Sequence, residues 1–216
     1  MALPEDAREL WISRPPPEGG RRAQKHRLVE RTKELVEAVA LLDLEHVDED
    51  DLAALIETTG EAAETVDRHR SLREKGGLSA AGGEDAVLTE RSGISGLSNP
   101  LAAPLEISFD GELTRGRAVY GAAYEGPPDS LHGGFVAAAF DDLLGCAQMV
   151  SGSAGFTGTL TVRMVAPTPL YRRIDYTAGV ESTEGRKIHC WGRSHDGDRL
   201  LAEATCVFIT PEGMLT

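Results

Sequence analysis

Apolar residues recur at helical spacing in the first third of the chain. Between about residues 21 and 42 they lie at helical spacing, and the pattern continues from residue 52 to about residue 73. Four acidic residues at 48–51 stand between the two stretches, where the positive end of a helix dipole favours them. The pattern therefore predicts two amphipathic helices joined by a short turn, an αα-hairpin. The apolar positions of the first helix are Leu28, Leu35, Val36, Val39 and Leu42.

A segment rich in Gly, Ala and Ser follows at residues 75–84, with the sequence KGGLSAAGGE. It has no periodic apolar pattern, which is typical of a linker. We therefore expect an N-terminal helical extension with its linker at residues 1–84 and a second domain at residues 85–216. The extension is acidic, which fits either a regulatory or docking arm or a plain solvated surface.

Beyond residue 104 the pattern changes to short runs of β-branched and aromatic residues that are separated by turn signals. Glycine-containing turns at 110–111, 183–185 and 196–198 leave so few residues between runs that neighbouring strands should pair antiparallel. The predicted strands cover residues 105–109, 113–124, 157–165, 171–182, 186–195 and 199–210.

One segment interrupts the strands. Residues 133–150, GGFVAAAFDDLLGCAQMV, are rich in Ala, contain no Pro and are apolar at nearly every angle around a helix axis. A helix that is apolar all round is expected to be buried. The sequence therefore predicts an α+β fold in which a curved antiparallel sheet encloses one long buried helix.

Two carboxylates, Asp141 and Asp142, lie in the middle of this apolar helix, where a charge is costly unless it is paired, hydrogen-bonded or open to a ligand. Asp142 shares its helix face with bulky residues, whereas the face of Asp141 leaves room for a substrate. We therefore prefer Asp141 as a candidate for catalysis. The alternative is that one aspartate pairs with an arginine such as Arg163 across a subunit contact. The small residues on the face of Asp141 are Gly134, Ala137, Ala138 and Gly145.

The same helix is preceded by His132 and begins with Gly133 and Gly134. Unpaired N–H groups at a helix N-terminus attract negative charge, and glycines leave room for a carbonyl group to approach them. These residues favour an oxyanion site at the helix start. His132 then either contacts the substrate or simply caps the helix.

Composition and charge narrow the possible functions. The net charge of −13 and the pI near 4.9 argue against binding to nucleic acid or to an anionic membrane. No run approaches the roughly 18 apolar residues of a membrane span, and the acidic N-terminus lacks an apolar signal region, so we expect a cytoplasmic location. Motifs of serine hydrolases, zincins, P-loop proteins and dinucleotide-binding proteins are absent.

The remaining residues with reactive or charged side chains are three cysteines and a group of bases. Cys146, Cys190 and Cys206 form neither a disulfide framework nor a clustered metal site, and we expect them in the core. Arg186 and Lys187 follow a predicted turn, which fits either a phosphate-bearing ligand or a solvated strand end. The bases Arg172 and Arg173 stand out in the same acidic domain.

Residues 124–145, YEGPPDSLHGGFVAAAFDDLLG, resemble the hotdog-fold acyl-CoA thioesterases of the phenylacetate-degradation (PaaI-like) type. The likeness rests on EGPP, on HGG and on an acid nine residues past the histidine. It continues through TGTLTVRMVAPTPL and EGRKIHCWGRSHDGDRLLAEATCVFI and covers about residues 95–210. An asparagine that some relatives carry before the histidine is missing. The resemblance implies a hotdog fold, cleavage of acyl-CoA thioesters, a homodimer that can pair into a tetramer, and no cofactor besides the coenzyme A of the substrate.

The same resemblance implies a role for each candidate residue. Asp141 would be the catalytic carboxylate, acting either on a water molecule or directly on the thioester. The N–H of Gly134, beside His132 and Gly133, would hold the oxyanion. Thr157 would reach from a neighbouring subunit to orient the attacking water. The coenzyme A groove would be lined by Arg163, Val165, Arg186, Lys187 and Trp191.

Two other functions share this fold, since fold alone does not determine chemistry. One is a non-catalytic acyl-CoA sensor or scaffold. The other is hydration of an enoyl thioester, whose relatives pair an aspartate with a histidine five residues later, where this chain has Cys146. A run of alanines at 137–139 leaves space, which favours a medium or long acyl chain, and an aromatic acyl group is the alternative. Its pocket depth is expected to depend on Phe135, Phe140, Leu144 and Met149.

Overall fold

The computed structural model describes residues 18–69, 88–152 and 154–212. Within these ranges it contains three α-helices and six β-strands, with short 3₁₀ turns between them. In chain order they are α1 (Gly20–Ala40), α2 (Glu49–Asp67), β1 (Glu106–Asp110), β2 (Leu113–Val119), α3 (Gly133–Ala147), β3 (Phe156–Met164), β4 (Arg173–Glu184), β5 (Lys187–Asp196) and β6 (Arg199–Ile209).

The six strands form one antiparallel sheet in the order β1-β2-β4-β5-β6-β3. The predicted meander of β4, β5 and β6 is confirmed. Its two turns contain Gly185 and Gly197, both at φ of 58°, a left-handed conformation that glycine adopts without steric cost. Strands β1 and β3 lie at the edges of the sheet, and β3 becomes important for the candidate site.

Helix α3 packs on one face of this sheet, which confirms the predicted α+β architecture. The contact is tight because β5 has no side chain at Gly192, where a Cβ atom would lie 3.1 Å from Phe140 and 3.4 Å from Leu144. A glycine there lets the helix approach the strand backbone closely. The helix residues in this contact with no exposed surface are Ala139, Phe140, Leu143, Leu144 and Ala147.

The expectation that this helix is buried all round is wrong for a single chain. Gly134 is exposed, and Ala137, Ala138, Asp141 and Gly145 are only partly buried. The sheet covers one side of the helix, and the face of small residues stays open. The helix is also shorter than predicted, because a 3₁₀ turn at Gln148–Ser151 and the left-handed Gly152 end it.

Helix α1 packs against the following domain through a different face from the predicted one. Its buried residues are Ala23, His26 and Val29, whereas the apolar positions singled out from the spacing stay largely exposed. The contact centres on Glu90, which accepts hydrogen bonds from the side chains of Arg22, His26 and Ser98. The polar contacts of Glu90, which lies later in the sequence, therefore determine which face of α1 is buried.

The two predicted N-terminal helices and the short connection between them are confirmed, but the second helix buries no apolar face. None of the residues of α2 is buried, and the helix ends at Asp67 instead of near residue 73. Its predicted start is confirmed, since Asp48 caps the helix by accepting the N–H of Asp51 at 2.8 Å. The predicted linker at 75–84 and the domain boundary beside it lie outside the described residues.

Most predicted strands are confirmed to within two residues, but the second is too long. It ends at Val119, and Ala122–Tyr124 form a 3₁₀ turn instead. The carboxylate of Glu37 in α1 accepts the N–H groups of Ala122 and Ala123, at 2.8 and 2.9 Å. Glu37 lies 85 residues earlier in the chain, so local spacing carries no sign of this turn.

Candidate functional site

Asp141 and Thr157 form the centre of the candidate site. The hydroxyl of Thr157 donates a hydrogen bond to Oδ1 of Asp141 at 2.9 Å, and both residues are at least partly exposed. This contact lies within one chain, so Thr157 belongs to the same subunit as the Asp141 that it contacts, and its approach to the attacking water from a neighbouring subunit stays a prediction. A short connection after α3 turns the chain back and places the start of β3 beside the middle of the helix.

An irregularity in β3 directs Thr157 toward the helix. In the ladder with β6, Thr157 faces Phe208 and Thr159 faces Val207, so Gly158 is an extra residue in a β-bulge. Side chains alternate between the faces of a regular strand, and Thr157 and Leu160 would then point to opposite sides. The bulge places both on the side of α3. A Cβ at Gly158 would lie only 2.9 Å from Cγ1 of Ile209, so glycine fits this position.

His132 caps α3, which confirms one of the two roles considered for it. Its Nδ1 accepts the N–H of Gly134 at 2.9 Å. The amide that the resemblance assigns to the oxyanion is therefore already bound to an imidazole. Among the described residues, the N–H of Gly133 has no acceptor, and Gly133 lies beside the end of β3, where a Cβ would meet Cε of Met164 at 3.0 Å.

Asp142 has structural partners that Asp141 lacks. Its Oδ2 accepts hydrogen bonds from the hydroxyls of Ser92 and Ser95, each at 2.7 Å. Arg163 pairs with Glu203 at 2.9 Å, so in the described part of the chain neither aspartate uses that arginine. The two serines lie about 50 residues before Asp142, and no motif or spacing points to them. This difference between neighbouring carboxylates supports Asp141 as the one available to a substrate.

The three cysteines lie in the core as expected. Burial raises the pKa of the thiols of Cys146, Cys190 and Cys206, in each case to about 12. A thiol with so high a pKa is a poor nucleophile and a poor proton acceptor at neutral pH. Cys146 therefore does not replace the histidine expected of a hydratase.

Arg186 and Lys187 lie at the same end of the sheet as Thr157. Lys187 pairs with Ile209 in the β5–β6 ladder, and Phe156, next to Thr157, pairs with the same Ile209 on the other side. Two strand spacings separate them, roughly 10 Å. Arg186 forms an ion pair with Glu212. The other bases noted in the sequence are engaged in local ion pairs, Arg172 with Asp196 and Arg173 with Asp175.

The structure separates the remaining residues proposed for a coenzyme A groove. Val165 lies beside Gly133, where both line a space of about 320 Å³. Arg163 and Trp191 face away from α3, on the outer side of the sheet, where the guanidinium of Arg193 lies 5.6 Å from the ring centre of Trp191. Arg163 and Trp191 are therefore not brought together with Asp141.

Two further findings concern the described residues as a whole. None of their helices combines the length and the apolar character needed to cross a membrane. Nor do three or more of their His, Cys, Asp and Glu side chains come together in an arrangement that could hold a metal ion.

Comparison with known proteins identifies the fold. No family model matches the chain. Over 91 residues it is 38% identical to acyl-coenzyme A thioesterase THEM4 of Xenopus laevis, a match that spans 41% of this chain and 41% of that protein. The solved structure of a thioesterase superfamily protein superimposes with a TM-score of 0.76 and 25% sequence identity, over 90% of this chain and 97% of the other. This chain has the hotdog fold of the thioesterase superfamily.

The resemblance seen in the sequence is thus confirmed at the level of this superfamily. In the hotdog fold of this chain, α3 is the helix that packs on the sheet. Its open face carries Asp141, and its first turn carries Gly133 and Gly134.

Proposed function

We propose that the chain hydrolyses acyl-CoA thioesters to a free acid and coenzyme A, with Asp141 as the catalytic carboxylate. The hydrogen bond between Asp141 and Thr157 carries this proposal, because it holds a carboxylate in a fixed position on the open face of α3. The activity named for the relative from Xenopus laevis supports the same reaction class. Coenzyme A enters as part of the substrate, and the chemistry requires no further cofactor.

Asp141 acts in this proposal as a general base. It removes a proton from a water molecule, the resulting hydroxide adds to the thioester carbonyl carbon, and the carbon–sulfur bond then breaks. The departing thiolate takes the proton back from Asp141. Thr157 occupies Oδ1 of the carboxylate and leaves Oδ2 for the water. A positioned base of this kind typically contributes a rate factor of about 10² to 10⁴.

The N–H of Gly133 is the proposed donor to the developing oxyanion. The N–H of Gly134 is bound to the imidazole of His132, whereas that of Gly133 has no acceptor among the described residues. It also lies at the positive end of the helix dipole, which adds to the stabilisation of negative charge. His132 then positions the helix start.

One chain alone cannot bring these groups to the same substrate. Gly133 and Asp141 are eight positions apart on α3, which corresponds to roughly 12 Å along the helix axis. A thioester carbonyl must lie within roughly 3 to 4 Å of both the base-bound water and the oxyanion donor. The site is therefore completed by a second copy of the chain.

Edge strand β3 offers the contact for that second copy. Its start carries Thr157 beside Asp141, and its end carries Met164 beside Gly133. Antiparallel pairing of β3 with β3 of another copy places the start of one strand against the end of the other. Asp141 of one chain then faces Gly133 of its partner. This supports a homodimer, and two such dimers would form the tetramer that the resemblance also allows.

The substrate's coenzyme A moiety is proposed to lie along the same edge. Val165 adjoins Gly133 at the helix start, and Arg186 supplies positive charge toward the Thr157 end. Phosphate groups are bound well by such charge-assisted contacts. Arg163, Lys187 and Trp191 lie on the other face of the sheet, so we do not include them in this groove.

Release of free thiol from acetyl-, decanoyl- and phenylacetyl-CoA tests this function. Wild type should turn over at least one of them, and Asp141→Asn should lower kcat at least 100-fold. Asp142→Asn is the matched control, because the neighbouring carboxylate contacts Ser92 and Ser95 and should leave kcat within about threefold once folding is verified. Full turnover by Asp141→Asn would overturn the proposal. Saturable binding of coenzyme A without any turnover would indicate a non-catalytic acyl-CoA sensor or scaffold instead of an enzyme.

A further inference from the structure

An apolar groove lies between α1 and the segments that precede β1 and α3. It encloses about 560 Å³, within the range of small-molecule sites, and its wall is mostly apolar. Helix α1 forms one side, and the first turn of α3 forms part of the floor. The lining residues include Val36, Leu41, Leu101, Pro104, Tyr124 and Phe135.

The helical side of this groove is fixed in place by polar contacts. Glu37 accepts the N–H groups of Ala122 and Ala123 and the hydroxyl of Tyr171, the last at 2.8 Å. About three to four turns toward the N-terminus, the Glu90 network holds the same helix. The groove is therefore preformed, and a ligand need not order its wall on binding.

A row of aromatic rings joins the groove to the start of α3. The ring of His132 lies 6.4 Å from that of Phe135, and the ring of Phe135 lies 5.0 Å from that of Tyr124, centre to centre. The backbone N–H of His132 also donates to the carbonyl of Tyr124 at 2.9 Å. Tyr124 and Phe135 both line the groove, so its inner end lies at the first turn of α3, two residues along the chain from Gly133.

The route between α3 and the sheet is closed. The sequence predicts that Phe140, Leu144 and Met149 help set the depth of an acyl pocket. This prediction is wrong for a single chain. Phe140 and Leu144 have no exposed surface and Met149 is 4% exposed, because all three pack in the core. Of the residues named for this role, only Phe135 borders open space.

We propose that this groove binds the aliphatic chain of a medium- or long-chain acyl-CoA, so that α1 and Leu101 determine chain-length preference. The inference rests on the proposed thioesterase function and extends it to the substrate. An acyl carbonyl at Gly133 can direct its chain past Phe135 into the groove, while the space beside Val165, just past the end of β3, takes the coenzyme A arm. Each methylene buried there should raise affinity roughly fourfold.

Substitutions that fill the groove test this proposal. Val36→Trp and Leu101→Trp should each lower kcat/KM for decanoyl-CoA at least tenfold and leave kcat/KM for acetyl-CoA within twofold. Val39→Trp is the matched control, because Val39 lies on the same helix, is exposed and does not line the groove. Equal effects on both substrates, or no effect on decanoyl-CoA, would overturn the groove as the acyl site.

A binding measurement separates failure of this inference from failure of the enzymatic function. Wild type should bind 11-dansylaminoundecanoic acid saturably at one site per chain, and decanoate should displace it. Val36→Trp should weaken this binding at least tenfold, and Val39→Trp should not. If wild type hydrolyses no acyl-CoA but shows this pattern, the groove proposal stands and the thioesterase proposal falls. Absence of saturable binding to wild type would overturn the groove proposal whatever the activity.

Discussion

The hydroxyl of Thr157 lies 2.9 Å from Oδ1 of Asp141 and donates a hydrogen bond to it. Asp142, the next residue on the helix, is instead bound by two serine hydroxyls from an earlier segment. The two neighbouring carboxylates thus differ in their contacts. Asp141 accepts one hydrogen bond on an open face of the helix, whereas Asp142 links the helix to the segment that contains Ser92 and Ser95.

Replacing Thr157 tests what that single hydrogen bond does. Thr157→Val keeps the branched shape and removes the donor, so Asp141 loses its fixed orientation. A hydrogen bond to a charged group contributes about 1.5 kcal/mol, which corresponds to a decrease of kcat by roughly tenfold. Thr157→Ser keeps the hydroxyl and should retain most of the activity. Steady-state thiol release measures both, and equal kcat values for wild type and Thr157→Val would contradict the assignment.

The role of the Gly133 amide can be tested by removing its hydrogen. Proline fits the first position of a helix, and the residue before it, His132, has φ of −60° and ψ of 133°, which a following proline accepts. Gly133→Pro should therefore fold and should lower kcat by about 10² to 10³, the usual effect of losing an oxyanion donor.

Gly133→Ala is the control for this substitution. It retains the N–H, and its Cβ meets only the mobile end of Met164, at 3.0 Å from Cε. Its kcat should stay within about threefold of wild type. A loss of activity as large as that of Gly133→Pro would show that the small size of the residue, and not its N–H, is what matters.

The contact between α1 and Glu90 should make stability depend on pH. Burial raises the pKa of the Glu90 carboxyl, but hydrogen bonds from Arg22, His26 and Ser98 outweigh it and hold the pKa below the ordinary value of 4.5. Because the folded pKa is the lower one, this stabilisation is complete above about pH 4.5 and is lost as the pH falls through the folded value.

Urea unfolding of wild type and Glu90→Gln between pH 7 and pH 3 measures this effect. The variant should be about 3 kcal/mol less stable at pH 7, because Arg22 and His26 lose their partner. The difference between the two proteins should shrink as the pH approaches 3. A difference that stays constant across this range would show that Glu90 does not provide the pH-dependent contact.

The sequence alone predicts the architecture because period-two and helical patterns reflect which face of each element meets the core. It also identifies the open face of α3, since small residues share that face with Asp141. The bulge at Gly158 was not predicted, although a glycine within a strand pattern is its usual signal. Bonds between distant segments, such as those from Ser92 to Asp142 or from Glu37 to Ala122, have no local signal at all.

The N-terminal helix is a second case in which contacts with distant residues decide the structure. Its apolar spacing predicts a stripe that includes Val36 and Val39, yet the buried face contains Ala23, His26 and Val29. Periodicity reports that a helix is amphipathic, whereas the face that docks is decided by partners such as Glu90 that lie far along the chain. The spacing alone assigns no role to Val36, which the structure places in the wall of the apolar groove.

Mixing two inactive variants tests the central claim that Asp141 of one chain acts on a thioester held at Gly133 of another. Equal amounts of Asp141→Asn and Gly133→Pro are unfolded together, refolded as a mixture and assayed for thiol release on the wild type's best acyl-CoA. A heterodimer carries both substitutions in one site and leaves the other site intact, so the mixture should recover about a quarter of wild-type activity, while each variant treated alone stays at least 100-fold below it. A mixture no more active than its parents would contradict a site shared between two chains.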